Sequence, residues 1–333
     1  MGAPRYELIT LLADGAWHTG VRLGAVLGLS RAAIWKQIRA LRSTGLEIIT
    51  DRRCGYRLDA PLQLLDADAI RAFLEPQVRA ALARLDVLLI TGSTSERLAS
   101  IPAPLPGMML ACTAEYQSGG RGRRGRRWFS PLGRGLCLSV SWCYEVAPRD
   151  LAALGLVVGV AVAEALSALV PGDAVRLKWP NDIVADGGKL GGILVDVAGE
   201  TGGPLRVVIG IGVNVRASPG LAPEISADGG SLRPATLSAL VPGRDICRDQ
   251  LAACLLNTLY RNLDEFAVAG FAAFAPRWRA RDCLLGQPVS AFSGSQILSG
   301  IASGIADDGA LLIDVDNQLR AVFSGDVTLR RQS

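Results

Sequence analysis

Arginine and glycine are interleaved in one short segment of the chain. Residues 120–127 contain five arginines, three glycines and no acidic residue. Guanidinium groups bind carboxylate and phosphate oxygens in a bidentate manner, and glycines let backbone N–H groups approach an anion closely. Because the arginines repel one another, we expect this arginine loop to be mobile when empty and ordered by an anion. Its position between two predicted strands favours a small anionic ligand over a disordered loop that contacts nucleic acid.

Two glycine-rich nucleotide-binding motifs are excluded by the local sequence. Gly120, Gly122 and Gly125 fit the G-x-G-x-x-G pattern, but a dinucleotide-binding loop requires a helix directly after the glycines. Here residues 130–133 have the turn sequence Ser-Pro-Leu-Gly. A P-loop is also excluded because the sequence G-K-[ST] is absent. The arginine loop therefore belongs to neither class.

A second group of polar residues lies at the ends of a predicted hairpin. The sequence from Lys178 reads K-W-P-N-D, and the returning strand carries Lys189 in the sequence G-K-L-G-G. Proline ends strand pairing, so Asn181 and Asp182 are expected at a strand end near both lysines. Asn214 follows another apolar strand. Each residue alone is better explained as a turn residue, a cap or a solvated lysine, but with the arginine loop they predict a phosphate-handling site.

The elements around these residues predict a central α/β domain. Strand patterns cover residues 108–116 before the arginine loop, 135–142 after it, and 207–211 further on. The apolar stretch 151–163 keeps helical spacing as far as residue 170, which predicts a buried helix. Helices and then short strands typical of a small barrel complete the chain. They are predicted at 245–266, 271–281, 287–292, 300–305, 310–315 and 319–323.

The first 61 residues form a basic head. They contain nine Lys or Arg and five acidic residues, whereas the rest of the chain carries 26 of each. Three helix patterns, a turn at Gly28 and two short strands around a basic turn predict a winged helix-turn-helix rather than a helical domain with a solvated basic face. Ile34, Ile38 and Leu41 form the buried face of the third helix. The predicted DNA-binding residues of this helix are Ser30, Arg31, Trp35, Lys36, Arg39 and Arg42.

Scarce residue types exclude several classes of function. His18 is the only histidine, which excludes histidine-dependent triads and histidine-ligated metal sites unless His18 itself serves in one. The seven cysteines contain no C-x-x-C pair, so neither a disulfide framework nor a structural zinc site is expected. No apolar run reaches the roughly 18–20 residues of a membrane span, and no secretory signal pattern is present. We expect a cytoplasmic protein without membrane contact and without a metal cluster of its own.

Four motifs occur in one order along the chain. They are S-R-A-A-I at residues 30–34, G-R-G-R-R-G-R at 120–126 with Trp128, K-W-P-N-D at 178–182, and K-L-G-G-I-L at 189–194. In this combination the chain resembles the bifunctional biotin protein ligase and biotin operon repressor family over nearly its whole length. The GRGRRG and KWPND motifs are specific when they occur together with a winged head.

The resemblance implies an α+β multidomain fold. The expected domains are a winged helix-turn-helix DNA-binding domain at residues 1–62, a ligase domain at 66–283 and a C-terminal domain at 284–331. The ligase domain would be a mixed α/β domain of the class II synthetase type, and the C-terminal domain a small SH3-like barrel. The short strands predicted independently near the C-terminus agree with such a barrel.

The resemblance also implies the activity of a biotin–[biotin carboxyl-carrier protein] ligase. Biotin carboxylate would attack the α-phosphate of ATP, with magnesium as cofactor, to give biotinoyl-5'-AMP and pyrophosphate. A lysine of a biotin carboxyl carrier protein would then accept the biotin. The adenylate-bound form would be a homodimer that binds operator DNA and represses biotin genes. We expect the adenylate to order the arginine loop and so to favour that dimer.

The family's motifs imply overlapping sets of site residues. Arg121, Arg123 and Lys189 are the expected catalytic residues, because cations stabilise the charge that develops during phosphoryl transfer. The expected biotin-binding residues are Ser93, Thr94, Ser95, Gln117, Gly120, Arg121, Gly122, Arg123 and Lys189. The expected ATP-binding residues are Arg126, Trp128, Asn181, Asp182, Asn214 and Arg330. Asp182 either binds magnesium or receives the acceptor lysine, and the sequence leaves both roles open.

Two positions depart from the family pattern, and three other functions compete with it. Ser95 stands where asparagine is usual, which puts one hydrogen bond to biotin in doubt. Trp35 stands where the repressor pattern has asparagine, which leaves the operator sequence open. The competing functions are a ligand-sensing regulator without ligase activity, a lipoate-type ligase, and an enzyme that uses the arginine loop on RNA. The third predicts salt-sensitive polynucleotide binding by residues 62–333 alone.

Overall fold

The computed structural model describes residues 6–145, 151–199, 204–217, 232–293, 296–323 and 325–329. The N-terminal head consists of three helices and a two-stranded wing. These are α1 (Tyr6–Leu12), α2 (Gly20–Leu27), α3 (Arg31–Arg42), β1 (Ile48–Asp51) and β2 (Gly55–Leu58). β1 and β2 pair in an antiparallel manner. The predicted winged helix-turn-helix is confirmed.

The head forms because its apolar residues fall on one side of each helix. Ile34, Ile38 and Leu41 of α3 are buried, as the helical spacing predicts. They pack in one core with the buried residues of α1 and the wing. Gly28 ends α2 in the left-handed conformation (φ 63°), which glycine adopts without a steric cost.

The central domain is a mixed sheet with helices. Its strands are β3 (Leu82–Thr91), β4 (Met109–Gln117), β5 (Gly135–Tyr144), β6 (Val175–Lys178), β7 (Asp182–Ala185), β8 (Gly188–Gly199) and β9 (Leu205–Asn214). Among the described residues their order is β3-β4-β5-β9-β8-β7-β6. β3 and β4 are parallel, and the other neighbours are antiparallel. The central strands therefore bring the ends of β4, β8 and β9 to one region.

The helices of the central domain cover the sheet. They are α4 (Ala67–Ala72), α5 (Pro76–Ala81), α6 (Thr94–Ala99), α7 (Leu154–Ser167), α8 (Leu237–Leu240), α9 (Arg248–Ala269) and α10 (Ala275–Arg279). α7 is buried almost throughout, as its apolar composition predicts. It packs against α9 and against β6 and β8. The strands that carry Lys178 and Lys189 are therefore supported by α7.

The C-terminal domain is a small antiparallel sheet. Its strands are β10 (Pro288–Ser293), β11 (Gln296–Ile305), β12 (Leu311–Val315), β13 (Gln318–Val322) and β14 (Asp326–Leu329). Their order in the described chain is β13-β12-β11-β10-β14. The expected succession of a winged head, a mixed α/β domain and a small β domain is confirmed. β14 was not predicted, and β11 begins four residues before the predicted strand.

Segments of the central domain tie the three domains together. Leu132 is completely buried in the core of the head, and its N–H donates to the Thr44 carbonyl at 3.1 Å. At the other end, the Trp179 indole donates to the Gly309 carbonyl at 3.1 Å. Within the described ranges, no helix combines the length and apolar character required to cross a membrane.

Candidate functional site

A cavity of about 380 Å³ opens between the central and C-terminal domains. Its walls come from the start of α6, the end of β4, the arginine loop, the β6–β7 turn, and strands β8 and β9. Phe292, Val327 and Thr328 of the C-terminal domain complete the lining. Segments far apart in sequence thus meet at one concave site, which is the usual setting of a ligand pocket.

One end of the cavity is lined by neutral hydroxyl and amide groups. Gln117 Oε1 accepts hydrogen bonds from the Thr94 backbone N–H at 2.7 Å and from Thr94 Oγ1 at 3.0 Å. Ser139 Oγ lies 2.7 Å from Thr94 Oγ1 and 2.9 Å from Ser95 Oγ. Ser93 caps α6 through its hydroxyl. We call Ser93, Thr94, Ser95, Gln117 and Ser139 the hydroxyl end.

Ser139 was missed by sequence reasoning. It lies in the middle of β5, whose residues are all buried, and it lines the cavity. The available signal was a serine between apolar neighbours in the sequence L-C-L-S-V-S-W. A buried hydroxyl needs hydrogen-bond partners, and α6 supplies them here.

Glycines and a tight turn shape the arginine loop. Arg123–Gly125 forms a short 3-10 turn, with Arg124 at φ 56° and Gly125 at φ 73°. The Trp128 N–H donates to the Gly120 carbonyl at 2.9 Å. A Cβ atom at Gly120 would lie 2.4 Å from the Trp128 carbonyl oxygen, so this close approach requires glycine.

The loop arginines make contacts that the sequence did not reveal. Arg121 pairs with Asp196 at 2.8 Å and with Glu96 at 3.4 Å. Arg123 donates to the Asn181 side chain at 3.4 Å and to the Gly325 carbonyl at 3.2 Å. The loop is free of acidic residues in sequence, but folding brings carboxylates from α6 and β8 to it.

Trp128 packs on a floor of glycines. A Cβ atom at Gly212 would lie 2.2 Å from the Trp128 ring, and one at Gly192 would lie 3.3 Å from it. Lys189 Nζ lies 5.9 Å from the centre of the same ring, within the range of a cation–π contact. The glycines of β8 and β9 therefore allow the indole to lie directly against the sheet.

Cations and one carboxylate form the opposite end of the cavity. Lys189 Nζ lies 2.7 Å from Asp182 Oδ1, and Lys178 Nζ lies 4.0 Å from Asp182 Oδ2. Lys178 is buried, which is rare for a lysine unless its charge is paired. Arg123 contacts Asn181, the neighbour of Asp182. We call Arg123, Asp182 and Lys189 the charged end, since an anionic group there would meet their charges.

Two asparagines hold the backbone of this region. Asn181 Nδ2 donates to the Ile193 carbonyl at 2.8 Å. Asn214 Nδ2 donates to the Lys189 carbonyl at 3.1 Å, while the Lys189 N–H donates to the Arg233 carbonyl at 2.7 Å. Asn214 therefore supports the strand that carries Lys189 and does not line the cavity.

Most of the expected ligand-binding residues meet at this cavity. Those that line it are Ser93, Thr94, Ser95, Gln117, Arg121, Gly122, Arg123, Arg126, Trp128, Asn181, Asp182 and Lys189. Gly120 and Asn214 lie behind the lining and position other residues. Arg330 lies outside the described residues. The structure also adds Ser139 and Lys178 to the lining.

Cys137 lies behind the cavity on β5. Its complete burial raises the pKa of the thiol to about 11, so the thiol is neutral near pH 7 and is a poor nucleophile. In the parts of the chain that the structure describes, no group of three or more His, Cys, Asp or Glu side chains could hold a metal ion.

The predicted DNA-binding residues share the exposed side of α3. Arg31, Trp35, Lys36 and Arg39 are exposed, and the Arg39 guanidinium lies 5.5 Å from the centre of the Trp35 ring. Ser30 caps the helix by accepting from the Ala33 N–H at 3.2 Å.

Arg42 differs from the other basic residues of α3. Its guanidinium donates to the Ile48 carbonyl at 2.7 Å and to Thr50 Oγ1 at 2.6 Å. Arg42 therefore ties α3 to the wing strand β1. Exposed Arg52 and Arg53 at the wing turn extend the basic surface.

Comparison with known proteins covers all three domains. The sequence pattern of the biotin/lipoate A/B protein ligase family matches residues 89–214. The patterns of a helix-turn-helix domain and of the biotin protein ligase C-terminal domain match residues 5–57 and 284–330.

Individual relatives align over most of the chain. The bifunctional ligase/repressor BirA of Salmonella typhimurium is 39% identical over 323 residues, which cover 97% of this chain and 96% of the relative. The Bacillus subtilis protein of the same name is 31% identical over 98% of each chain. The solved biotin protein ligase of Aquifex aeolicus in complex with biotin and ATP superposes with a TM-score of 0.62 at 28% identity. That alignment covers 75% of this chain and 100% of the other.

The similarity extends through the head, the cavity and the C-terminal sheet in one continuous alignment. On this evidence the chain belongs to the family of bifunctional biotin protein ligases and repressors.

Proposed function

We propose that this protein activates biotin with ATP and transfers it to a lysine of a biotin carboxyl carrier protein. The observation that carries the proposal is the cavity itself, which joins a neutral hydroxyl end to a cationic charged end. The neutral end suits a ring with polar N–H and C=O groups. The charged end suits a carboxylate and a phosphate brought together, which repel each other without nearby cations.

The first step forms a mixed anhydride. A carboxylate oxygen of biotin attacks the α-phosphorus of ATP, and the bond to the bridging oxygen breaks to release pyrophosphate. Lys189 and Arg123 would stabilise the negative charge that accumulates on the phosphate oxygens. Lys189 suits this role because its backbone is held by Asn214 and Arg233, so little reorganisation is required.

The second step transfers the biotinoyl group. The neutral amine of the acceptor lysine attacks the carbonyl carbon of the anhydride, and AMP leaves with the electron pair of the broken bond. The amine must lose a proton when the amide forms. Asp182 is a candidate to receive it, because its carboxylate lies in the cavity beside Lys189.

Magnesium fits this donor set as an ion carried by the nucleotide. Mg²⁺ prefers oxygen ligands and is usually bound by one or two protein carboxylates together with substrate phosphates. Asp182 would hold it during adenylate formation, which is the alternative to its role as proton acceptor in the second step. The ion would neutralise part of the phosphate charge.

The head supports a second role as a repressor of biotin genes. Arg31, Lys36 and Arg39 lie on the exposed side of α3, and the basic wing turn extends this surface. We propose that the adenylate-bound protein dimerises in the cytoplasm and places two heads on operator half-sites.

One experiment tests the ligase activity directly. The purified chain is incubated with ATP, magnesium, biotin and a biotin-free carrier domain, and the carrier is weighed by mass spectrometry. A mass gain of one biotin on one lysine is the expected result. A parallel tube with lipoate identifies a lipoate ligase, and no gain in either tube favours a regulator that senses the ligand without turnover.

A further inference from the structure

The Arg121 guanidinium contacts two carboxylates, one from α6 and one from β8. Its Nη2 atom is 2.8 Å from Asp196 Oδ2, and its Nε atom is 3.4 Å from Glu96 Oε1. Glu96 belongs to α6 and follows Ser95 of the hydroxyl end. Asp196 belongs to β8, the strand that also carries Lys189. Arg121 thus connects the arginine loop to both walls.

Strand geometry explains why Asp196 reaches the cavity mouth. Alternate residues of a strand point to the same face, so Gly192, Leu194 and Asp196 share one face of β8. Gly192 and Leu194 line the cavity together with the intervening Ile193, and Asp196 follows two residues after Leu194, just beyond the lining. A ligand in the cavity lies beneath the loop that Arg121 anchors.

We infer that Glu96 and Asp196 are positioning residues that hold the arginine loop across the cavity and slow the exit of bound ligand. We call Glu96, Arg121 and Asp196 the loop clasp. The clasp gives the Arg121 guanidinium a role distinct from the carboxylate binding expected from the sequence. The inference rests on the proposed function only in naming biotin and its adenylate as the ligands.

Exposure determines how strong the clasp is. The side chains of Arg121, Asp196 and Glu96 are 45%, 47% and 59% exposed. Ion pairs with this exposure are screened by water and salt and are individually weak. Removing one pair should therefore change the rate of ligand exit by a small factor, roughly two- to fivefold. A clasp of this strength retains a ligand and still opens during turnover.

The test measures ligand exit from the full-length protein. Dissociation of biotin and of biotinoyl-5'-AMP is followed by stopped-flow tryptophan fluorescence in the wild type, Asp196→Asn and Glu96→Gln. We expect dissociation to be roughly two- to fivefold faster in Asp196→Asn and less accelerated in Glu96→Gln, whose ion pair is longer. The single-turnover rate of adenylate formation at saturating substrates should be unchanged. Asp196→Glu should restore slow dissociation, which a merely structural defect would not allow.

A matched variant controls for the loss of any exposed ion pair. Asp307 pairs with Arg279 at a distance of 2.7 Å, and neither residue lines the cavity. Asp307→Asn should therefore leave dissociation unchanged. Wild-type dissociation rates in both Asp196→Asn and Glu96→Gln would overturn the inference, as would equal acceleration by Asp307→Asn. Failure of the proposed function is seen separately, because the wild type would then leave the carrier unmodified.

Discussion

The hydroxyl end and the charged end of the cavity are prepared for ligand in different ways. At the hydroxyl end, Thr94, Gln117 and Ser139 already hydrogen-bond to one another, and a ligand needs only to reorient their hydroxyl groups. At the charged end, Lys189 is paired with Asp182, so an anion must compete with a protein carboxylate. The neutral end can therefore select the ring before the charged end engages the phosphate.

The largest expected effect comes from breaking the charged end. Lys189→Ala should slow adenylate formation by about 10²–10³-fold, because it removes a preorganised cation from the transferring phosphate. Quenched-flow measurement of adenylate at saturating biotin and ATP checks this. The thermal unfolding temperature should change little, and Lys189→Arg separates charge from geometry. A near-normal rate in Lys189→Ala would remove this residue from the site.

The position of Trp128 in the cavity lining can be disturbed by a substitution in the sheet beneath its ring. Gly212→Ala places a Cβ atom 2.2 Å from the Trp128 ring, so the indole must move and carry the loop with it. Such overpacking costs about 1–3 kcal/mol, and we expect biotin affinity to fall roughly tenfold. Isothermal titration with biotin measures the loss.

Gly155→Ala on α7 is the matched control for this prediction. Outside its own helix, no atom of the described residues lies within 4 Å of its added Cβ, so binding should remain normal. Wild-type affinity in Gly212→Ala would show that Trp128 has another low-energy position and does not fix the loop.

A smaller effect is expected from a substitution at the hydroxyl end, where it tests the contribution of these groups to biotin binding. Ser139→Ala leaves the hydroxyls of Thr94 and Ser95 without their shared partner, at a cost of about 1 kcal/mol. We expect the KM for biotin to rise roughly fivefold while kcat stays within about twofold. Steady-state kinetics with biotin as the varied substrate test this split. Ser141→Ala, on the same strand but bonded to Arg206 at 2.9 Å, should leave the KM for biotin unchanged.

The smallest expected effect concerns a hydrogen-bonded carboxylate in the head, away from the cavity. In the head, hydrogen bonds from the His18 side chain and the Ala16 N–H lower the pKa of Asp14 below its usual 3.8. A carboxyl with a lowered folded-state pKa stabilises the fold above its unfolded pKa, and this contribution is lost as the pH falls through the folded pKa. Asp14→Asn should therefore reduce the free energy of unfolding by less than about 1 kcal/mol near neutral pH.

Urea denaturation followed by circular dichroism measures this difference. The two proteins should become equally stable once the pH falls well below the lowered folded-state pKa of Asp14, because its carboxyl is then protonated in the folded and the unfolded protein. A stability difference that persists in acid would assign the effect to packing instead of charge.

Sequence patterns predicted the parts of the fold where the signals are local, and they missed β3 and helices α4–α6. Apolar spacing predicted α3, α7 and the strands around the arginine loop, and a proline predicted the break between β6 and β7. β14 has four residues, too few for a periodic signal. It forms because β10 offers a free edge for pairing.

The candidate site was predictable where residue type alone signals chemistry. Lys189, Asp182 and the loop arginines stand out by type, and they line one cavity. Ser139 and Asp196 do not stand out, because their importance comes from the partner that the fold brings to them. The support given to Lys189 by Asn214 is likewise a property of neighbouring strands that no single segment encodes.

Leu132 shows that the modules of this chain are not separable units. It belongs to the ligase domain by sequence, lies four residues after Trp128, and is buried in the core of the head. A head transplanted from a relative would need an apolar pocket in its core that accommodates this leucine. Exchange of modules between proteins of this architecture is therefore constrained by Leu132 and by Leu89 and Tyr116, which pack against the same core.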